Sequence, residues 1–140
     1  MKIILLSGKP NTGKTTTLNA LYKKITNDGK ENIVVKRTVV GNPASKDFEC
    51  VVEYNNKKVA IFSMGDYYGA FIEVLIKYAN RDILVLAYNE TFAKKLDEMI
   101  GKLNYHCVIR KSVSKSNADA VECEKENEKD RDLIIKELEH

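Results

Sequence analysis

Residues 1–17 constrain this 140-residue chain more than any other stretch. Lys2-Ile3-Ile4-Leu5-Leu6-Ser7 is a short, nearly unbroken apolar run, the pattern of a strand buried on both faces of a parallel sheet. Gly8-Lys9-Pro10-Asn11-Thr12-Gly13-Lys14-Thr15 follows without a gap and fits G-x-x-x-x-G-K-[ST], the Walker A pattern. Several inward-facing backbone N–H groups are needed to wrap a triphosphate, and Gly8 and Gly13 allow the backbone that supplies them. Lys14 is expected to reach the β- and γ-phosphates, and the Thr15 hydroxyl to hold Mg²⁺. The expected nucleotide-binding residues are Gly8, Lys9, Asn11, Thr12, Gly13, Lys14, Thr15 and Thr16, with Lys14 also catalytic. The helix that opens near Gly13 adds its positive N-terminal end to the same site.

The rest of the chain alternates strands with helices. Leu18, Leu21, Tyr22 and Ile25 form one stripe of a helix over residues 14–27, with Gly29 as its left-handed cap. A strand over 33–40 and a loop at 41–45 follow. Residues 48–54 and 57–63 form a hairpin about Asn55-Asn56. Its two-residue register sets Glu53 against Lys58, Val52 against Val59 and Cys50 against Ile61. A second helix over 67–79 carries Phe71, Val74, Leu75 and Tyr78 on one face. A buried strand over 82–88, a third helix over 91–103 and a last strand over 105–110 complete the pattern. Residues 111–117 read as a polar loop. Nine of the eleven residues from 122 to 132 are charged, as on a solvated helix face, and Leu133, Ile134, Ile135 and Leu138 are apolar enough to dock its end. Strand–helix alternation implies an α/β layer structure with right-handed crossovers and a ligand site beyond the carboxyl ends of the strands.

Composition narrows the function classes. Charged residues make up 31% and hydrophobic residues 44%, ordinary for one globular domain, here residues 1–137. A net charge of +3 gives no argument for a nucleic-acid partner. Apolar runs fall short of the ~18 residues of a membrane span. Lys2 leads directly into the first strand without a signal-peptide pattern, so a cytoplasmic protein with no membrane partner is expected. Cys50, Cys107 and Cys123 lack zinc spacing and read as two core thiols and one near the surface. Leu138-Glu139-His140 reads as the start of a terminal tag.

Phosphoryl chemistry also needs an acid toward Mg²⁺ and often a second cation. Asp66, just past the strand ending at 63, is the first choice for both catalysis and metal, with Glu90 and Asp47 as alternatives and a helix N-cap as the competing role for Asp66. Of the four arginines, Arg37 stands with Lys36 toward the end of the second strand, where it can approach a second phosphate. The guanine-reading N-K-x-D pattern would fall at Asn89-Glu90-Thr91-Phe92, which has neither the lysine nor the aspartate, so ATP is preferred to GTP.

On these residues the chain resembles the P-loop NTPase superfamily. The resemblance implies a three-layer α/β sandwich with a mainly parallel sheet of about five strands and one antiparallel hairpin. It also implies ATP (or GTP) and Mg²⁺ as cofactors. Gly65-Asp66-Tyr67-Tyr68-Gly69-Ala70 is similar to the G-N-Y-Y-G-T stretch of guanylate kinases. That resemblance implies an acceptor site with Tyr68, Lys36 and Arg37, although residues 111–130 lack the arginines of that family's lid. Three activities follow as expectations: an NTP hydrolase, a phosphotransferase with a small-molecule acceptor, or a nucleotide-binding module that controls a regulatory protein partner.

Overall fold

The computed structural model describes residues 2–9, 12–27, 33–41, 43–64, 68–78, 80–89, 105–111 and 120–139, with backbone alone at 33–36, 43, 68, 70, 71, 105–107, 110 and 120. Its strands are β1 (Lys2–Gly8), β2 (Ile33–Val39), β3 (Phe48–Tyr54), β4 (Lys57–Phe62), β5 (Ile83–Asn89) and β6 (Tyr105–Arg110). The helices are α1 (Lys14–Thr26), α2 (Tyr68–Lys77) and α3 (Ala120–Leu138), with a short 3₁₀ turn at Pro43–Ser45.

The strands form one sheet in the order β2-β3-β4-β5-β1-β6. β1 lies parallel between β5 and β6, and β4 is parallel to β5. β3 runs against both of its neighbours, so five of the six described strands share one direction. The sheet holds all six strands read along the sequence, one more than the about five that the resemblance implies. Its antiparallel part is two pairings rather than one hairpin, because β2 joins β3 as well, with a register shift between Val34 and Lys36. The expected hairpin register is the observed one: Glu53 pairs with Lys58, Val52 with Val59 and Cys50 with Ile61. Asn55 and Asn56 both take positive φ, 50° and 63°, which matches the twist of the flanking strands.

Strand alternation sorts the core into two layers. Ile4 and Leu6 of β1 face Leu18, Leu21 and Ile25 of α1 and Ile134 and Leu138 of α3. Ile3 and Leu5 face the other way, with Val74 and Leu75 of α2 and Tyr78 just after it. Each such fully buried aliphatic side chain contributes about 1.5–3 kcal/mol of hydrophobic stabilisation. The architecture is a three-layer α/β sandwich, with α1 and α3 over one face and α2 over the other.

Three local expectations are corrected. α1 closes at Asn27 (φ 48°, ψ 59°), whose N–H donates to the Lys23 carbonyl, rather than at Gly29. Asparagine tolerates the left-handed cap, so the cap stands two residues earlier, while Gly29 lies outside the described residues. The charged run on α3 is not wholly a solvated face, because Asp130 is fully buried. Of the residues expected to dock the end of α3, Leu138 packs in the core at 1% exposure but Leu133 is 43% exposed, and the Tyr54 hydroxyl donates to Glu139 Oε1 at 2.9 Å. The helix expected over 91–103 lies outside the described residues. Cys50 is buried and Cys123 exposed, while the Cys107 side chain is outside the description. No described helix is long and apolar enough to cross a membrane.

Candidate functional site

The parallel strands bring their carboxyl ends to one edge of the sheet. There Gly8 pairs with Asn89 of β5, and Ser7 pairs with Arg110 of β6. The loop from Gly8 leads straight into α1 through Gly13, which takes φ 93° and ψ 19°. That left-handed backbone disfavours any residue with a Cβ. A Cβ on Gly13 would also stand 2.9 Å from Asn127 Oδ1, and one on Gly8 would stand 2.8 Å from Thr12 Oγ1 and 3.1 Å from the Lys111 Cβ. At Gly13 the backbone itself favours glycine, and at both positions an added Cβ would make neighbouring side chains shift. Among the described residues no side-chain cap hydrogen bond is made at Gly13, the N-cap of α1, and no acid lies in the helix's first turn. An uncapped helix start of this kind suits an anion.

Lys14 is buried beneath the loop. Its Nζ donates to the carbonyl oxygens of Gly8 at 3.1 Å and Lys9 at 2.8 Å. Thr12 Oγ1 donates to the Lys9 carbonyl at 2.8 Å, and Thr17 Oγ1 donates to the Gly13 carbonyl at 2.8 Å. The loop is thus tied to both flanking elements, and the Lys14 ammonium braces two of its carbonyls.

Thr15 has an acidic partner. Its Oγ1 donates to Asp47 Oδ1 at 2.8 Å, and Ser63 Oγ donates to the same oxygen at 2.9 Å. Asp47 gets there by topology. β3 starts where the parallel β4 ends, so Asp47, just before β3, lies beside Ser63, just after β4. Phe48 N–H donates to Ser63 Oγ at 2.9 Å, and Val40 N–H to the Asp47 carbonyl at 3.0 Å. Lys46, at φ 59°, turns the chain toward α1, where Asn19 Nδ2 donates to the Lys46 carbonyl at 3.2 Å and the Thr15 carbonyl at 3.0 Å. Among the described residues the Oδ2 of Asp47 accepts no hydrogen bond.

The other expected site residues fall unevenly. Asp66, Glu90 and Asn11 lie outside the described residues. Tyr68 is the first residue of α2, and Lys36 lies in β2 at its register shift, both described by backbone alone. Thr16 is exposed on α1. Arg37 is held on the α1 side of the sheet: its guanidinium carbon lies 4.1 Å from the Tyr22 ring centre and 4.2 Å from that of Phe48, and Nη2 donates to Asn19 Oδ1 at 3.1 Å. The structure therefore joins Thr15, next to Lys14 in the chain, to Asp47 and links Arg37 to Thr15 through Asn19.

Three neighbours escaped the sequence reading. The Lys111 amide, just past β6, donates to the Ser7 carbonyl at 2.7 Å, and its ammonium pairs with Asp130 of α3 at 2.8 Å. Asn127 Oδ1 accepts from Thr17 Oγ1 at 3.2 Å. A signal for them existed. Asn127, Asp130, Ile134 and Leu138 follow one another at steps of three and four residues, which continues the apolar stripe of α3 as a polar one.

The donor set suits a hard cation carried by a phosphate ligand. A hydroxyl and a carboxylate supply oxygen, and Mg²⁺ commonly takes one or two protein oxygens, with waters and substrate phosphates completing its shell. Among the described residues no group of three or more His, Cys, Asp or Glu side chains is arranged to hold a metal by itself. No family model matches the chain, no curated protein matches it, and no solved structure matches it.

Proposed function

We propose that this protein binds a Mg²⁺–nucleoside triphosphate on the loop from Gly8 to Thr15, as a P-loop NTPase-like domain, with ATP favoured over GTP. The observation that carries the reading is the Thr15–Asp47 contact beside the buried Lys14, at the uncapped start of α1. In this reading Lys14 leaves the loop carbonyls for the β- and γ-phosphates. Thr15 and Asp47 hold Mg²⁺ directly or through water, and Ser63 orients Asp47. Bound Mg²⁺ would neutralise charge developing on the phosphates, which is what hydrolysis of the triphosphate requires.

The phosphotransferase reading has less support. The guanidinium meant for an acceptor phosphate is stacked between Tyr22 and Phe48 and bonded to Asn19.

Isothermal titration of Mg-ATP and Mg-GTP into the parent protein and Lys14→Ala tests the proposal, with phosphate release measured alongside. The expected result is binding by the parent that Lys14→Ala abolishes without loss of fold. Equal affinities in the two proteins would remove Lys14 from the site, and a hundredfold preference for GTP would show that another segment reads guanine. Tight binding without turnover would favour a nucleotide-controlled binding module over a hydrolase.

A further inference from the structure

The Lys111–Asp130 pair is buried almost completely, with side chains 1% and 0% exposed and 2.8 Å between Nζ and Oδ2. Taking both charges out of water costs several kcal/mol per ion, so such a pair is weak evidence for stabilisation. Its position is more informative. Lys111 leaves the carboxyl end of β6 and passes along both ends of the glycine loop. Its Cβ lies 3.1 Å from where a Cβ on Gly8 would stand, and its Cε lies 3.5 Å from the equivalent point on Gly13. From α3, Asn127 approaches the same point on Gly13 to 2.9 Å and accepts a hydrogen bond from Thr17. The middle of α3 therefore approaches the loop through Asn127 and grips Lys111 beside it through Asp130, while its C-terminal half is anchored in the core by Ile134 and Leu138.

Resting on the reading that this loop binds phosphates, we propose that Lys111 is a second cation of the phosphate site and that Asp130 competes with the phosphates for it. Lysine carries a compact charge on a flexible four-carbon stem, so rotation of the stem can move the ammonium from carboxylate to phosphate with the backbone in place. A triphosphate draws Lys111 toward the loop and weakens the hold of Asp130 on it. By linkage the converse holds: an α3 that grips Lys111 less firmly leaves the loop with higher phosphate affinity. α3, whose outward face is charged and exposed, is then the element that responds to nucleotide.

The test uses the full chain, Mg-ATP as the probe, and constant ionic strength. Asp130→Asn is expected to bind roughly five- to tenfold more tightly than the parent, at the low end of ordinary site-to-site coupling. Lys111→Met combined with Asp130→Leu exchanges both members of the pair for apolar residues. This double variant is expected to bind at least about fivefold more weakly while its melting temperature holds, and Lys111→Arg is expected to restore most of the affinity. Hydrogen exchange of the amides at 127–134 is expected to quicken when Mg-ATP binds the parent and to stay unchanged in the double variant. Parent-like affinity in a folded double variant, or an Asp130→Asn protein that binds no more tightly than the parent, would overturn the proposal. If Asp130→Asn does not fold, the double variant decides alone. A parent that binds no Mg-ATP overturns the nucleotide reading itself, whereas a parent that binds beside an indifferent double variant overturns only the role of Lys111.

Discussion

The Thr15 hydroxyl donates a 2.8 Å hydrogen bond to Asp47, a residue 32 positions away in sequence. One end of this bond is the first turn of α1 and the other is the residue before β3. It closes the carboxyl edge of the sheet around the loop that carries Lys14, and Ser63 supports it from the end of β4. A carboxylate so placed can serve a cation that Thr15 also touches.

Asp47→Ala should separate metal-dependent from metal-independent binding. Mg-ATP affinity is expected to fall at least about tenfold, the loss of one charge-assisted interaction. ATP affinity in EDTA is expected to change little. Titration calorimetry in the two buffers makes the comparison. An equal loss in both buffers would show that Asp47 only shapes the loop.

Gly13→Ala tests the approach of α3 to the loop. A left-handed backbone with a Cβ costs about 1–2 kcal/mol, and the new methyl would also meet Asn127 Oδ1 at 2.9 Å. Asn127→Ala removes that oxygen and, with it, the Thr17 hydrogen bond, a loss of about 0.5–1.5 kcal/mol. Urea melts of the two single variants and the double variant are expected to show a double less destabilised than the sum. Strict additivity would mean that the two residues do not meet.

Ile134→Ala probes the dock of α3. Ile134 is fully buried among residues of α1 and the sheet, so its truncation is expected to destabilise the fold by about 2–5 kcal/mol. Exposed Leu133→Ala next to it is expected to stay within about 0.5 kcal/mol of the parent. Equal effects from the two, read by chemical denaturation, would contradict the placement of α3.

Cys50 gives the fold a pH dependence. Burial pushes its thiol from 9.0 up to about 12, with Arg37 opposing the shift. The folded state holds the proton more tightly than the unfolded one, so this contribution is complete below pH 9 and fades as pH rises toward 12. The stability difference between the parent and Cys50→Ala should therefore shrink over that range, by at most about 1.4 kcal/mol per pH unit. A difference that stays flat from pH 8 to 11 would exclude the linkage. At neutral pH a thiol reagent should modify the exposed Cys123 and spare Cys50 until the protein unfolds.

Much of this protein follows from local pattern. The apolar run of β1, the stripe of α1 and the Asn55-Asn56 hairpin arise from interactions within a few residues or across one turn, and the sequence alone determined them. The same holds for the order of strand, glycine turn and helix around Gly13 and Lys14, because these belong to one contiguous segment. Even the hairpin register was legible, since Glu53 and Lys58 or Val52 and Val59 match only in that alignment.

Tertiary structure decided which polar residues surround the loop. Asp47 is one of three acids that the sequence reading weighed. It reaches Thr15 because β3 runs antiparallel and begins beside the end of β4, a pairing no local window reveals. Lys111 and Asp130 stood in a polar loop and a charged run, where solvation is the ordinary outcome. Their burial required α3 to fold back onto α1 with Ile134 and Leu138 in the core, which carries Asp130 out of water beside the end of β6. Hydrophobic periodicity specifies which face of a helix turns inward, but the partner of a polar residue on that face is set by whatever the topology has brought opposite it.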